Sequence, residues 1–214
     1  MHPKTVSWFF IKLVLTYGLF IALWVGIGDW YASAFRSAGT SIFKDFGPSG
    51  IVVFQAKEEP TALWDSDILL GNHETKRALP KPFGTRYRGY APTSVLLALV
   101  FASPLPWRRR LLAAAAGLVL LYLWIGFGLW LQIMAGYAGS DEIRMYELTP
   151  FVDKTLSYMS FVVATSTVSQ YAMPVFFWIL VTFRRDDWEL ILSSSKAGGG
   201  QDGAASPRSE PKRR

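Results

Sequence analysis

The sequence predicts an all-α membrane fold: a four-helix transmembrane bundle with a small β-containing segment outside the cytoplasm. Three observations predict it. Of the 214 residues, 51% are hydrophobic, and they gather into long runs instead of scattering as a soluble core would. No charged residue occurs between Arg110 and Asp141, or between Lys154 and Arg184. About 20 apolar residues span the hydrocarbon of a bilayer, and soluble buried helices are usually shorter. Finally, Lys and Arg sit in short clusters at the ends of these runs, as the positive-inside rule requires.

The first run extends from Val6 to about Gly28, interrupted by Lys12, which can snorkel to the head groups. Lys4 and the small-residue pattern Ala32-Ser33-Ala34 also fit a cleaved signal peptide. The run is long for that, so an uncleaved first span over residues 1–30 is favoured. Residues 31–89 form the polar, extracytoplasmic segment. Its start, through Phe43, can continue the first helix out of the membrane, and Gly47-Pro48-Ser49-Gly50 then breaks the chain. Ile51–Phe54 and Asp67–Leu70 read as strands from their β-branched and aliphatic content, with Gly71-Asn72 a turn and Pro80 and Pro82 closing the region.

Residues 90–192 hold three further spans. The second runs from Tyr90 to Trp107, with Pro92 suited to a first helical turn and Pro104 and Pro106 marking the end. The third runs from Leu111 to about Tyr137. A polar stretch from Gly139 to Lys154 separates it from the fourth, Leu156 to Phe183. Residues 193–214 are rich in Gly, Ser, Pro, Lys and Arg and should form a disordered basic tail.

With both termini cytoplasmic, four crossings put Lys4 and Lys12, then Arg108, Arg109 and Arg110, then Arg184 and Arg185 on one face. These arginines are the candidate topology determinants. Trp8, Trp30, Trp107, Trp130 and Trp188 fall near the boundaries, as an aromatic belt would. The net charge of +6 is placed for lipid head groups, which argues against a nucleic-acid partner.

No residue pattern identifies a catalytic site. The chain has no Cys, which excludes disulfides and thiol chemistry, and only two His. His73 with Asp65, Asp67 and Glu74 makes a poor metal set beside the several His or Cys that zinc sites use. No phosphate loop or dinucleotide fingerprint occurs. No cofactor is therefore expected. The distinctive feature is Thr165-Ser166-Thr167-Val168-Ser169-Gln170, ahead of Pro174. Thr165, Ser166, Thr167, Ser169 and Gln170 form a polar patch in the middle of the fourth run. They would either support helix packing or line a polar cavity. Ala113 and Gly117, four apart, offer a close-packing face on the third run.

The stretch Arg86-Tyr87-Arg88-Gly89-Tyr90-Ala91-Pro92, continuing through Leu96–Pro104 to Trp107-Arg108-Arg109-Arg110, resembles the membrane core of exosortase/archaeosortase-type proteins. The likeness covers about Arg86 to Met134. That family's transpeptidase chemistry uses a Cys and Arg partners. Neither the Cys nor an Arg between Trp124 and Trp130 is present here, so the resemblance implies a degenerate, inactive relative. The layout also looks like that of bacterial multi-pass membrane proteins, which implies the cytoplasmic membrane. The expected role is that of a non-enzymatic anchor, scaffold or assembly partner, with lipid on its helices and a protein on its outer segment. A transporter or channel subunit using the polar patch is the alternative.

Overall fold

In the computed structural model, which describes residues 3–182, the chain is mainly helical with one four-stranded sheet. Helix α1 (Pro3–Phe43) runs for 41 residues without a break, about 61 Å at 1.5 Å per residue. The sheet follows: β1 (Asp45–Phe46), β2 (Gly50–Ala56), β3 (Ser66–Asn72) and β4 (Arg77–Phe83). A π-helical turn, Arg86–Tyr90, leads into α2 (Ala91–Ala102). Then come α3 (Trp107–Ala138), α4 (Pro150–Ser160), a second π-helical turn (Phe161–Thr165) and α5 (Thr167–Thr182).

The sheet is an antiparallel meander in sequence order. Both expected strands lie within it, Ile51–Phe54 inside β2 and Asp67–Leu70 inside β3, paired with Val53 opposite Leu69. Period-two alternation turns Val52, Phe54, Ile68 and Leu70 inward, all buried. Pro80 and Pro82, expected to end the region, instead sit within β4 opposite Leu69 and Asp67. The register explains why prolines are tolerated. β4 is an edge strand, and residues two apart turn their missing N–H groups the same way, toward the open side.

Two apolar clusters hold the molecule together. The first joins the sheet to the far ends of α1 and α3: Phe43, Phe46, Val52, Phe54, Ile68, Leu70 and Phe83 meet Leu129, Ile133 and Tyr137. The Tyr137 ring stacks on Phe46 at 5.7 Å. Its hydroxyl lies 2.8 Å from the Ile51 carbonyl and 2.9 Å from that of Gly71, so one hydrogen is shared between two strands. The second cluster is the bundle interior, where Leu96 and Val100 of α2 meet Ala113, Ala114 and Leu121 of α3 and Phe177 of α5. Gly117 faces Leu96, so this small-residue face of α3 serves packing within the chain.

Among the described residues two helices, Ser7–Phe43 and Trp107–Ala138, are long and apolar enough to cross a membrane, or three if the bent pair Pro150–Ala164 and Val168–Thr182 counts as one. The second expected span departs from this. α2 has 12 residues, about 18 Å, too short by itself for a hydrocarbon layer of about 30 Å. Pro104 and Pro106 stop it early, and Trp107 opens α3 instead of closing α2. Arg108, Arg109 and Arg110 thus occupy the first turn of α3. The fourth expected span is not one straight helix either: it bends by 65° at the hydroxyl-rich stretch.

The chain ends of the helices converge. Phe9 of α1 stacks on Trp178 of α5 at 6.1 Å. Arg109 donates to the Thr182 carbonyl at 2.8 Å, and Arg110 donates to the carbonyls of Ser103 and Leu105. The start of α1, the α2–α3 corner and the end of α5 therefore share one end of the bundle, with the sheet at the other. Positive charge at a helix start opposes the helix dipole. Here Arg109 donates to the Thr182 carbonyl of α5, and Arg110 to the carbonyls of Ser103 and Leu105 in the corner after α2. Arg184 and Arg185, the tail from Ser193 and Trp188 lie outside the described residues.

Candidate functional site

The polar patch sits at the break between α4 and α5. Thr165 closes the π-helical turn, Ser166 is extended with φ −66° and ψ 121°, and Thr167 opens α5. A helix interrupted in this way frees carbonyls that lipid cannot satisfy. The side chains supply the remedy. Ser169 donates to the Val163 carbonyl at 3.4 Å and Gln170 to that of Ala164 at 3.5 Å, while the Ser166 N–H reaches back to Phe161 at 2.8 Å. Pro174 lies inside α5, which continues through it, so the discontinuity falls eight residues earlier, at Ser166.

Opposite the break stands a charged residue that chain order conceals. Arg88, in the π-helical turn before α2, reaches across to the Gln132 side-chain oxygen on α3 and lies over the Phe83 ring at 5.2 Å. Arg88 and Gln170 line one narrow crevice of about 30 Å³, together with Trp124, Gly128, Val163 and Ala164. The two polar residues come from positions 82 apart. No local motif could have paired them, although a cation beside an apolar run is itself a cue.

On the other side of the same turn, Arg86 faces α1. Its guanidinium lies 5.8 Å from the rings of Trp24 and Tyr87. A second, larger cleft of about 410 Å³ opens there, with Trp24, Asp29 and Arg36 on α1 and Lys57 and Asp65 on the β2–β3 connection. Asp65 is engaged internally: it accepts from the Thr85 N–H at 2.9 Å and from the Thr85 hydroxyl. Gly84 precedes this knot so closely that a Cβ there would overlap the Leu63 carbonyl oxygen.

The His73 set is pulled apart by β3. Asp65 precedes that strand and His73 follows it, about 26 Å away along eight extended residues. His73 instead closes the turn with its N–H on the Ser49 carbonyl at 2.9 Å, and Asn72 accepts from the Glu74 N–H at 2.8 Å. Among the described residues no group of three His, Cys, Asp or Glu side chains is placed to hold a metal ion.

No family of known proteins, no curated protein and no solved structure matches this chain.

Proposed function

We propose that the protein is a non-enzymatic, multi-pass integral membrane protein that presents its sheet outside the cytoplasm as an anchoring or assembly surface. The observation that carries this reading is the joint between sheet and helices. Tyr137, Phe46 and Phe54 weld the strands to the emergent ends of α1 and α3. The helices thus hold a shaped platform at fixed height above the bilayer. The face turned away from them carries Ile51, Val53, Leu69 and Pro80, half-buried or exposed, as an apolar strip. In this reading α2, extended by its π-helical turn, and the bent α4–α5 pair complete four crossings. The basic end around Arg108–Arg110 faces the cytoplasm.

The test is copurification from mild detergent with the double variant Val53→Glu and Leu69→Arg. These residues face each other across β2 and β3, so opposite charges keep the strands paired while removing the apolar strip. Loss of copurifying protein at unchanged membrane abundance is the expected result; an unchanged set of partners would refute the platform.

The helix break favours a second reading, a transporter or channel subunit, because discontinuous helices with nearby charge are how many carriers form their sites. The variant Ser169→Ala with Gln170→Leu separates the two. A platform loses roughly 1 kcal/mol of stability, as expected for intramembrane hydrogen bonds, and keeps its partners. A carrier loses flux at unchanged abundance.

A further inference from the structure

We propose that the cleft beside Arg86 binds the phosphate of an anionic phospholipid head group. The inference rests on the membrane crossing proposed above and adds a specific lipid site to it.

Charge comes first. Arg36, Lys57 and Arg86 converge on the cleft with Asp29 and Asp65. Asp65 accepts from Thr85, and in the cleft three cations stand against two carboxylates, an excess of positive charge. Arg36 donates to the Ser66 hydroxyl at 3.2 Å and Arg86 lies over aromatic rings. Among the described residues none of the three cations pairs with a carboxylate. All three are half-buried. Partly buried cations without an acid partner are costly, and an anion entering the cleft would relieve that cost. A guanidinium is suited to phosphate because it offers donors in a planar fork.

Height comes second, and two helices measure it independently. Asp29 lies 17 residues beyond Lys12 on α1, about 26 Å. On α3, Gln132, the partner of Arg88, lies 22 residues beyond Arg110, about 33 Å. The hydrocarbon layer is about 30 Å thick. Both rulers put the Arg86–Arg88 turn one hydrocarbon thickness from the basic end, at the opposite head-group boundary. Head-group phosphate is concentrated at the two boundaries of the hydrocarbon, and the cleft lies at the one opposite the basic end. Trp24, five residues before Asp29 on α1, gives the cleft an aromatic wall on its hydrocarbon side. The cleft's volume of about 410 Å³ lies within the roughly 300–1,000 Å³ typical of small-molecule sites.

The experiment uses the full chain in mild detergent, after fractionation shows it in the membrane pellet. Native mass spectrometry counts retained lipids, and thermal unfolding is followed with added phosphatidylglycerol, phosphatidylcholine or inorganic phosphate. Phosphatidylglycerol is expected to be retained and to raise the unfolding temperature, and the other two are not. Because Arg108–Arg110 also attract anionic lipid, the decisive signal is one lipid fewer in Lys57→Gln with Arg86→Gln. That lipid is kept in Arg108→Gln. Lys57→Gln alone, a loop change that leaves the fold untouched, should weaken retention several-fold. Equal retention of phosphatidylcholine, equal protection by inorganic phosphate, or an unchanged lipid count in the double variant would each overturn the site. Recovery of the chain in a detergent-free supernatant would overturn the crossing and the site together.

Discussion

Truncating Tyr137 to alanine is expected to cost about 3–5 kcal/mol, the range for deleting a fully buried aromatic side chain, and to loosen the sheet before the bundle. The ring is wholly buried and stacks on Phe46. Its hydroxyl also bridges the carbonyls of Ile51 and Gly71 on neighbouring strands. Losing the ring opens a cavity where α3 meets β2 and β3, whereas the cluster around Leu96, Val100 and Phe177 is untouched. Tyr137→Phe keeps the ring and strands two carbonyls, for about 1–3 kcal/mol. Limited trypsin digestion in detergent separates the variants. Cleavage at Lys57 and at Lys76 or Arg77 should speed up most in the alanine variant and moderately in the phenylalanine one. Wild-type resistance in both would show that Tyr137 is not the joint.

The second large effect is expected at Gly84. Alanine there puts a methyl group on the backbone carbonyl of Leu63. Neither side can yield cheaply, because Thr85 next to Gly84 is tied to Asp65 next to the loop. Overpacking typically costs about 1–3 kcal/mol and occasionally more. The relief available is to swing the 57–65 connection outward, which also displaces Arg86 and Arg88. Gly126 is the matched control: nothing lies within 4 Å of a Cβ placed there. Alanine at this helical position should be neutral or stabilising by up to about 1 kcal/mol. Thermal unfolding of the two variants in the same detergent makes the comparison; equal midpoints would mean that the loop is not anchored as described.

What the sequence made legible was whatever is written in neighbouring residues. Leu111–Tyr137 reads as a long apolar helix because nothing interrupts it, and α3 covers it. Ile51–Phe54 and Asp67–Leu70 read as strands, and both lie in the sheet. β4 was hidden because Pro80 and Pro82 normally argue against a strand. Only the register, which places them on the open side of an edge, reconciles the two. The bend at Ser166 was hidden for a related reason. Hydroxyl residues are compatible with a continuous apolar helix, and whether they bond their own turn or a freed carbonyl is decided by surrounding helices. α2 shows the converse. Its composition suits a span, but its length is set by two prolines and a packed corner. The pairing of Arg88 with Gln132 joins positions 44 apart and follows only from the fold.

The prolines of β4 also limit how the sheet can be read by anything else. An exposed sheet margin ordinarily invites a foreign strand to hydrogen-bond onto it, by addition or by runaway self-assembly. Two residues without amide protons deny such a guest its donors along one margin. The opposite margin, β1, is two residues long and offers too little to hold one. Recognition along β4 is thereby confined to side chains on the broad surface and to the turns, and identical copies find no full ladder there by which to zip into fibres.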